Sequence, residues 1–313
     1  MSLLNEVKYF VPCYLDSLGL DDKVTFGMEV EFEELLFDIA KEEVYKLPVN
    51  KDWVVATELS VDPSRNTTHH STLYGGEVVS PVCMEQIDEI TTWKELKLVC
   101  NKLKELGGFC NDLAGGHIHI GAQIFEGNKN YLANFLKLWI VYESVIYQMG
   151  YAGNGPRSSI FNYAKKMRFL LRDMIWEFDD SVTYASLVEK AIGAFDKKDY
   201  GINFLNMKDN EWALGNTIEF RYPNGSLIPF IWQNNVNFIT KLIKYAKSDD
   251  FDVDLINFRI VNDNLLSYSI DDALELANLI FNSDREKLYF LYQYLGYCNS
   301  ENNILLKTRK PMN

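Results

Sequence analysis

The chain has 313 residues, 47% hydrophobic and 14% aromatic, enough apolar material to build a sizeable core in one large domain or two ordinary ones, and this excludes a disordered chain. Its 44 acidic residues against 31 basic ones give a net charge of −13, so neither nucleic-acid phosphates nor anionic lipid is expected as a partner. An acidic chain can still bind a nucleotide if its carboxylates are gathered around metal ions that present positive charge to the phosphates. The 5 cysteines contain no Cys-x-x-Cys pair, which argues against a disulfide framework or a zinc ribbon and for a reducing cytoplasm. The opening MSLLNEVKYF shows no signal-peptide pattern.

Period-two and period-3.6 segments alternate without a regular βαβ order, which predicts an α+β fold. The first strand is expected over 24–34, where FGMEVEFE places Phe26, Met28, Val30 and Phe32 on one face and Glu29, Glu31 and Glu33 on the other. Carboxylates two apart on a strand lie roughly 6.5–7 Å from one another, close enough for ions to bridge them. The plainer alternative is a solvated acidic face, although strands are normally poor in glutamate. A strand over 53–61 would put Glu58, Ser60 and Asp62 on one face, and a strand over 76–81 carries Glu77. His69 and His70 fall in the polar stretch SRNTTHHST, an expected exposed loop without a role.

After a helix at 85–106 comes a strand over 117–125, in which GGHIHIG turns His117 and His119 to one face and Ile118 and Ile120 to the core. Imidazoles among carboxylates suit a divalent metal or a phosphate oxygen, and the flanking glycines let a ligand approach the backbone; a hydrogen-bonded structural pair is the alternative. The apolar window 132–149, within a helix at 130–149, is interrupted by Lys137 and Glu143 and reads as a buried helix, not a membrane span. Helices at 159–176 and 184–195 and a strand at 202–207 lead to a strand at 216–223. There Thr217, Glu219 and Arg221 share a face, either as a surface ion pair or as a metal ligand beside an anion-binding fork.

A helix over 229–246 precedes the acidic stretch 248–254, the one plausible boundary. Residues 1–246 then form a catalytic domain, and 247–313 a helical segment, with helices at 271–281 and 285–295, expected to dock on it. Asp271 and Asp272 suit the N-cap and first turn of the first of these helices. An antiparallel sheet curved so that its acidic and imidazole faces line one cleft would collect six or so ligands for metal and phosphate.

The order F-G-x-E-x-E, G-E-V-V-S-P, G-H-x-H-x-G and T-I-E-F-R resembles the carboxylate–amine ligase superfamily of glutamine synthetase and glutamate–cysteine ligase, and most closely its amidoligase branch, from about Val24 to Ala246. The resemblance implies a glutamine synthetase-like catalytic fold, a curved and mostly antiparallel sheet flanked by helices. It makes Glu29, Glu31 and Glu77 metal ligands. His117 and His119 match the strand that supplies a metal ligand and an ATP phosphate contact, with His119 as the ligand. Glu219 would be the final metal ligand and Arg221 the arginine gripping phosphate or carboxylate, both taking part in catalysis. Glu58 and Ser60 fall where amidoligases tend to carry Asp-x-Ser, a conservative departure on the substrate side. Arg157 resembles a further cofactor-side position and Asn203 a substrate-side one. Thr217 stands where glutamine synthetase carries an ATP-binding arginine, so that contact does not transfer.

The function implied is an ATP- and Mg²⁺- (or Mn²⁺-) dependent ligase that joins a small-molecule or peptide carboxylate to an amine through an acyl phosphate. No serine or cysteine nucleophile is required, and the chain has neither G-x-S-x-G nor a Cys–His constellation. Two alternatives are a metal-dependent hydrolase, which would leave Arg221 without a task and lacks H-E-x-x-H, and a non-catalytic nucleotide-binding protein on the same scaffold.

Overall fold

Alternation in FGMEVEFE sets the architecture. In the computed structural model, which describes residues 2–50, 52–61, 74–85, 92–176, 181–207, 215–262 and 269–298, this segment is the central strand of an α+β fold. The short helix α1 (Leu3–Glu6) precedes β1 (Phe26–Leu36), which runs straight into α2 (Phe37–Val44). Then follow β2 (Val54–Ala56), β3 (Tyr74–Val79), α3 (Thr92–Glu105) and β4 (Gly116–Gly121). Helices α4 (Lys129–Gly150), α5 (Ile160–Tyr163), α6 (Arg168–Trp176) and α7 (Tyr184–Ala194) lead to β5 (Ile202–Asn203) and β6 (Thr217–Phe220). The chain continues through α8 (Pro229–Ala246), α9 (Val253–Asn262), α10 (Ile270–Ile280) and α11 (Asp284–Tyr294).

The six strands form one open antiparallel sheet in the order β2-β3-β1-β4-β6-β5. Register decides what each face carries. Glu29 pairs with His117, Glu31 with Glu77, His119 with Glu219, and Glu219 with Asn203, so all of these side chains project to the same side. Phe26, Met28, Val30, Phe32, Ile118, Ile120, Ile218 and Phe220 project to the other side and are all buried. That side is covered by helices: Trp93 of α3 stacks on Phe26 at 5.0 Å, and Phe135 and Trp139 of α4 each lie 6.0 Å from Phe220. A slip of one residue in β1 would turn the glutamates into this layer, so the register is strongly specified.

The long apolar helix α4 is buried along most of its length, and among the described residues no helix is long and apolar enough to cross a membrane. α8 starts with Pro229 in its first turn and packs on α4 and α3, while α10 and α11 pack on both α4 and α8. Gln293 of α11 is fully buried and donates to Met149 O at 3.0 Å and to Asn235 Oδ1 at 2.9 Å, tying α11 to both helices by polar bonds with little freedom to slide.

Several elements differ from the sequence reading. The strand expected over 53–61 stops at Ala56 and gives way to a 3₁₀ turn (Leu59–Val61), so Glu58 and Ser60 do not share a strand face. Asp62, His69 and His70 lie outside the described residues. β4 ends at Gly121 and the chain tightens into a 3₁₀ turn (Ala122–Phe125), and β5 covers only the first two residues of its expected span. Helix α3 begins at Thr92 among the described residues, and Glu85 is not helical: its carboxylate accepts the N–H of Leu18 and Leu20 and the Trp93 indole. The helix expected over 159–176 is two helices, α5 and α6. Buried Glu143 of α4 accepts the Met167 and Arg168 N–H groups at 2.6 and 3.1 Å and pairs with the Arg168 side chain, while Lys165 is drawn into a bridge with Tyr200. Ser269, not Asp271, caps α10, and its capping box is completed by Asp272.

Candidate active site

Two neighbouring groups of potential ligands occupy the polar side of the sheet. Glu29, His119 and Glu219 form the first, and Glu31, Glu58 and Glu77 the second; in each, one ligand atom per residue lies within 4.8 Å of the others. His117 stands between them: its Nδ1 is 2.8 Å from Glu29 Oε2 and its Nε2 is 3.4 Å from Glu31 Oε1. The strand register supplies five of the six ligands. The sixth, Glu58, arrives from the turn after β2, where its carboxylate accepts the Ser60 N–H at 2.8 Å.

The first group is compensated by its own neighbours. Glu29 accepts hydrogen bonds from His117 and, at 2.9 Å, from His119 Nε2. Burial alone would raise the Glu29 carboxyl, but these bonds outweigh it and hold the group far below the usual carboxylate range. Because Nε2 of His119 donates to Glu29, its Nδ1 faces the Thr217 hydroxyl, 3.3 Å away. Burial disfavours a charged His119, but the Glu29 hydrogen bond and the Glu219 charge prevail and raise its pKa above the ordinary 6.5. Glu219 is also buried, and the charge of Arg221, followed by those of His117 and His119, keeps its carboxyl below the ordinary value. Asn203 Nδ2 donates to Glu219 Oε2 at 2.6 Å while its Oδ1 accepts the Leu205 N–H, so both ends of the amide hold Glu219 in place. That is an orienting task, where the sequence suggested a substrate contact.

The second group is less compensated: Glu31 has His117 Nε2 at 3.4 Å and accepts the Gly115 N–H, but Glu58 and Glu77 pair with no cation among the described residues. Burial, followed by repulsion from Glu29, Glu31 and Glu58, pushes the Glu77 carboxyl up to about 8. Oxygen ligands gathered at this spacing suit a hard divalent cation, and relief of this repulsion favours its binding. The residues present therefore fit Mg²⁺ or Mn²⁺ in both groups, with an imidazole nitrogen added in the first.

Arg221 is buried; its Nη1 pairs with Glu219 and its Nε donates to Tyr163 O at 3.2 Å, leaving Nη2 without a partner among the described residues. The resemblance puts Arg157 on the cofactor side; in the structure each of its nitrogens donates within the protein, Nε to Ser159 Oγ, Nη1 to Pro223 O and Nη2 to Arg221 O. It braces the end of β6 and passes close to Gly115, where a side chain would not fit: a Cβ would lie 2.9 Å from His117 Nε2 and 3.1 Å from Arg157 Nη2. A cavity of about 150 Å³ opens here, lined by Glu31, Glu58, Ser60, His117, Arg157 and Arg221 together with Lys198.

This arrangement can hold divalent ions beside an arginine fork, the combination that phosphoryl chemistry uses. A family model described as "Putative amidoligase enzyme" matches residues 22–243. The chain belongs to this amidoligase family. No curated protein matches the sequence. The amidoligase match extends from just before β1 to near the end of α8 and so takes in every residue of both ligand groups.

Two residues to which the sequence reading gave no role stand at this site. Glu33 Oε1 accepts the backbone N–H groups of Asn111, Leu113 and Ala114, while the next N–H, that of Gly115, donates to Glu31. Glu33 thus fixes the loop that holds Glu31, and its place in the Glu29–Glu31–Glu33 alternation was the available signal. Lys198 gave no signal, because DKKD reads as a solvated charge run.

Proposed function

We propose that the protein is an ATP-dependent ligase that joins a carboxylate to an amine through an acyl phosphate. The observation that carries this reading is two acidic ligand groups on one sheet face, bridged by His117, with the buried Arg221 fork paired to Glu219 of the first group and lining one cavity with Glu31 and Glu58 of the second, in an amidoligase-family chain. Glu29, His119 and Glu219 would hold one Mg²⁺ or Mn²⁺ ion and Glu31, Glu58 and Glu77 another, and the ions, when bound, would offset the charge of the phosphates and of the incoming carboxylate.

The chain's own residues do the rest. Arg221 offers Nη2 to an oxygen of the transferring phosphoryl group, held in aim by Glu219 and the Tyr163 carbonyl. Asn203 keeps Glu219 oriented, and Arg157 holds the backbone that carries Arg221. A substrate carboxylate oxygen forms a bond to the γ-phosphorus as the bond to the ADP oxygen breaks. The amine nitrogen then attacks the acyl carbon, phosphate departs with the electrons of the carbon–oxygen bond, and the amine's proton passes to water. Glu58 and Ser60 line the mouth where the organic substrates would enter.

The test is release of ADP and phosphate by purified protein with ATP, Mg²⁺ and a mixture of amino acids. ADP formation that requires both an amine and a carboxylate is expected. Metal-dependent hydrolysis without nucleotide, or nucleotide binding without turnover, would overturn the reading.

A further inference from the structure

The ligase reading leaves one cation in the cavity without a task. Lys198 lines the cavity beside Glu31, Glu58, Arg157 and Arg221, and among the described residues it makes no hydrogen bond or ion pair. A lysine in a charged run is ordinarily just solvated, but this one sits on a loop packed in place. The loop that carries it is held from both sides. Phe195 packs edge-on against Tyr200 at 4.9 Å and in a tilted arrangement against Phe204 at 5.6 Å, and Lys165 N donates to Asp199 O at 2.7 Å while Gly201 N donates back to Lys165 O at 2.9 Å. Asp199 turns its carboxylate toward Lys165, 3.5 Å away, and the preceding side chain, Lys198, faces the cavity.

The guanidiniums of the cavity have few donors to spare for an anion. Arg157 is committed on all its nitrogens, and Arg221 on two of its three. Of the two guanidiniums lining the cavity, only Arg221 Nη2 is therefore still open to an oxygen of an entering anion, and a second oxygen would find its donor in Lys198.

We propose that Lys198 grips an oxygen of the reacting oxyanion, either the carboxylate being activated or the phosphoryl group transferred to it. The proposal rests on the ligase reading above and adds to it a third cation, mobile enough to follow the oxyanion as charge passes from carboxylate to acyl phosphate. Because an ammonium offers a point charge and no fork, Lys198 sets affinity for the anion while Arg221 sets its geometry.

The experiment is amine-selective acetylation of the intact protein, read by mass spectrometry at Lys198 and at the exposed Lys94 as a reference, alongside thermal melting. The ligands are a non-hydrolysable ATP analogue with Mg²⁺, alone and with a mixture of L-amino acids. At ten times the dissociation constant, labelling of Lys198 should slow about tenfold while that of Lys94 is unchanged. Protection by the nucleotide alone assigns the contact to the phosphoryl group, and protection that needs the amino acids assigns it to the carboxylate. Lys198→Met should weaken the protecting ligand by about tenfold or more, and Lys198→Arg by no more than about threefold. If the melting temperature rises with nucleotide but Lys198 is labelled equally fast under every condition, the Lys198 assignment fails and the ligase reading stands. If nucleotide and Mg²⁺ leave the melting temperature unchanged, the ligase reading fails and takes the assignment with it.

Discussion

The two ligand groups stand side by side on one sheet and differ in what surrounds them. Glu29, His119 and Glu219 are compensated: imidazoles and a guanidinium stand within hydrogen-bond reach, and both carboxyls are held below their ordinary pKa. In the second group only Glu31 has such neighbours, the Gly115 N–H and His117 Nε2 at 3.4 Å, while Glu58 and Glu77 pair with no cation among the described residues and Glu77 is pushed up to about 8. One group is already held by its neighbours, and the other carries a repulsion that a bound cation would relieve.

The largest effect expected is on the compensated side. Arg221→Lys keeps the charge and loses the fork, so turnover should fall about a hundredfold or more while nucleotide affinity changes little. The comparison is ADP release beside calorimetric binding, variant against wild type. Near wild-type turnover would reduce Arg221 to a structural partner of Glu219 and break the claim that this side is organised for chemistry.

Next in size is stabilisation by ions. Mg²⁺ with nucleotide at a hundred times the dissociation constant should add about 2.7 kcal/mol to the folded state. Glu29→Gln and Glu31→Gln, one from each group, should each remove part of it, and the double variant nearly all. Full stabilisation in Glu31→Gln would mean that the less compensated group binds no ion.

Which parts of this could be read from the sequence follows from the range of the forces involved. β1, β4 and β6 declare themselves because one face is core and the other is polar over four or more residues, and the ligands on them come with that alternation. Glu58 was named for the wrong reason: it reaches its group through a turn that its own carboxylate stabilises, which no period-two pattern encodes. The break between α5 and α6 depends on Glu143, far away on α4, whose carboxylate competes for N–H groups that a continuous helix would use internally. Lys198 is invisible for a similar reason, since its direction is set by the packing of Phe195, Tyr200 and Phe204, not by its neighbours in DKKD.

A smaller and more pointed contrast appears without metal. Glu29→Gln deletes a carboxylate held by two imidazoles and should cost about 1–3 kcal/mol of stability. Glu77→Gln deletes a repelled one, so the melting temperature should rise. Chemical or thermal denaturation in chelator reads both. Variants that shift in the same direction would abolish the distinction between the groups.

The smallest effect is on pH dependence, and its sign follows from linkage. The folded-state pKa of Glu77 lies above its ordinary 4.5, at about 8, so its ionisation works against the fold: the cost is absent below 4.5, grows between 4.5 and 8, and is complete above. The His119 pKa is raised above 6.5, so its contribution is full below 6.5 and is lost as pH rises through the folded value. Glu29 and Glu219, both lowered from 4.5, contribute above 4.5 and lose that contribution as the medium becomes more acid. Together these place the stability maximum of the metal-free protein between about pH 5 and 6.5, with a decline toward 8. Saturating Mg²⁺ should oppose that decline, because a ligating Glu77 must lose its proton and ion affinity therefore rises with pH over the same window. Melting curves across this range, in chelator and in Mg²⁺, for wild type and Glu77→Gln, test both statements. The variant should show the shallower decline in chelator and less of the opposing gain in Mg²⁺. A metal-free wild type that instead gains stability from about pH 5.5 to 8 would mean that Glu77 is already ionised, and the second group would then be compensated by something other than a cation.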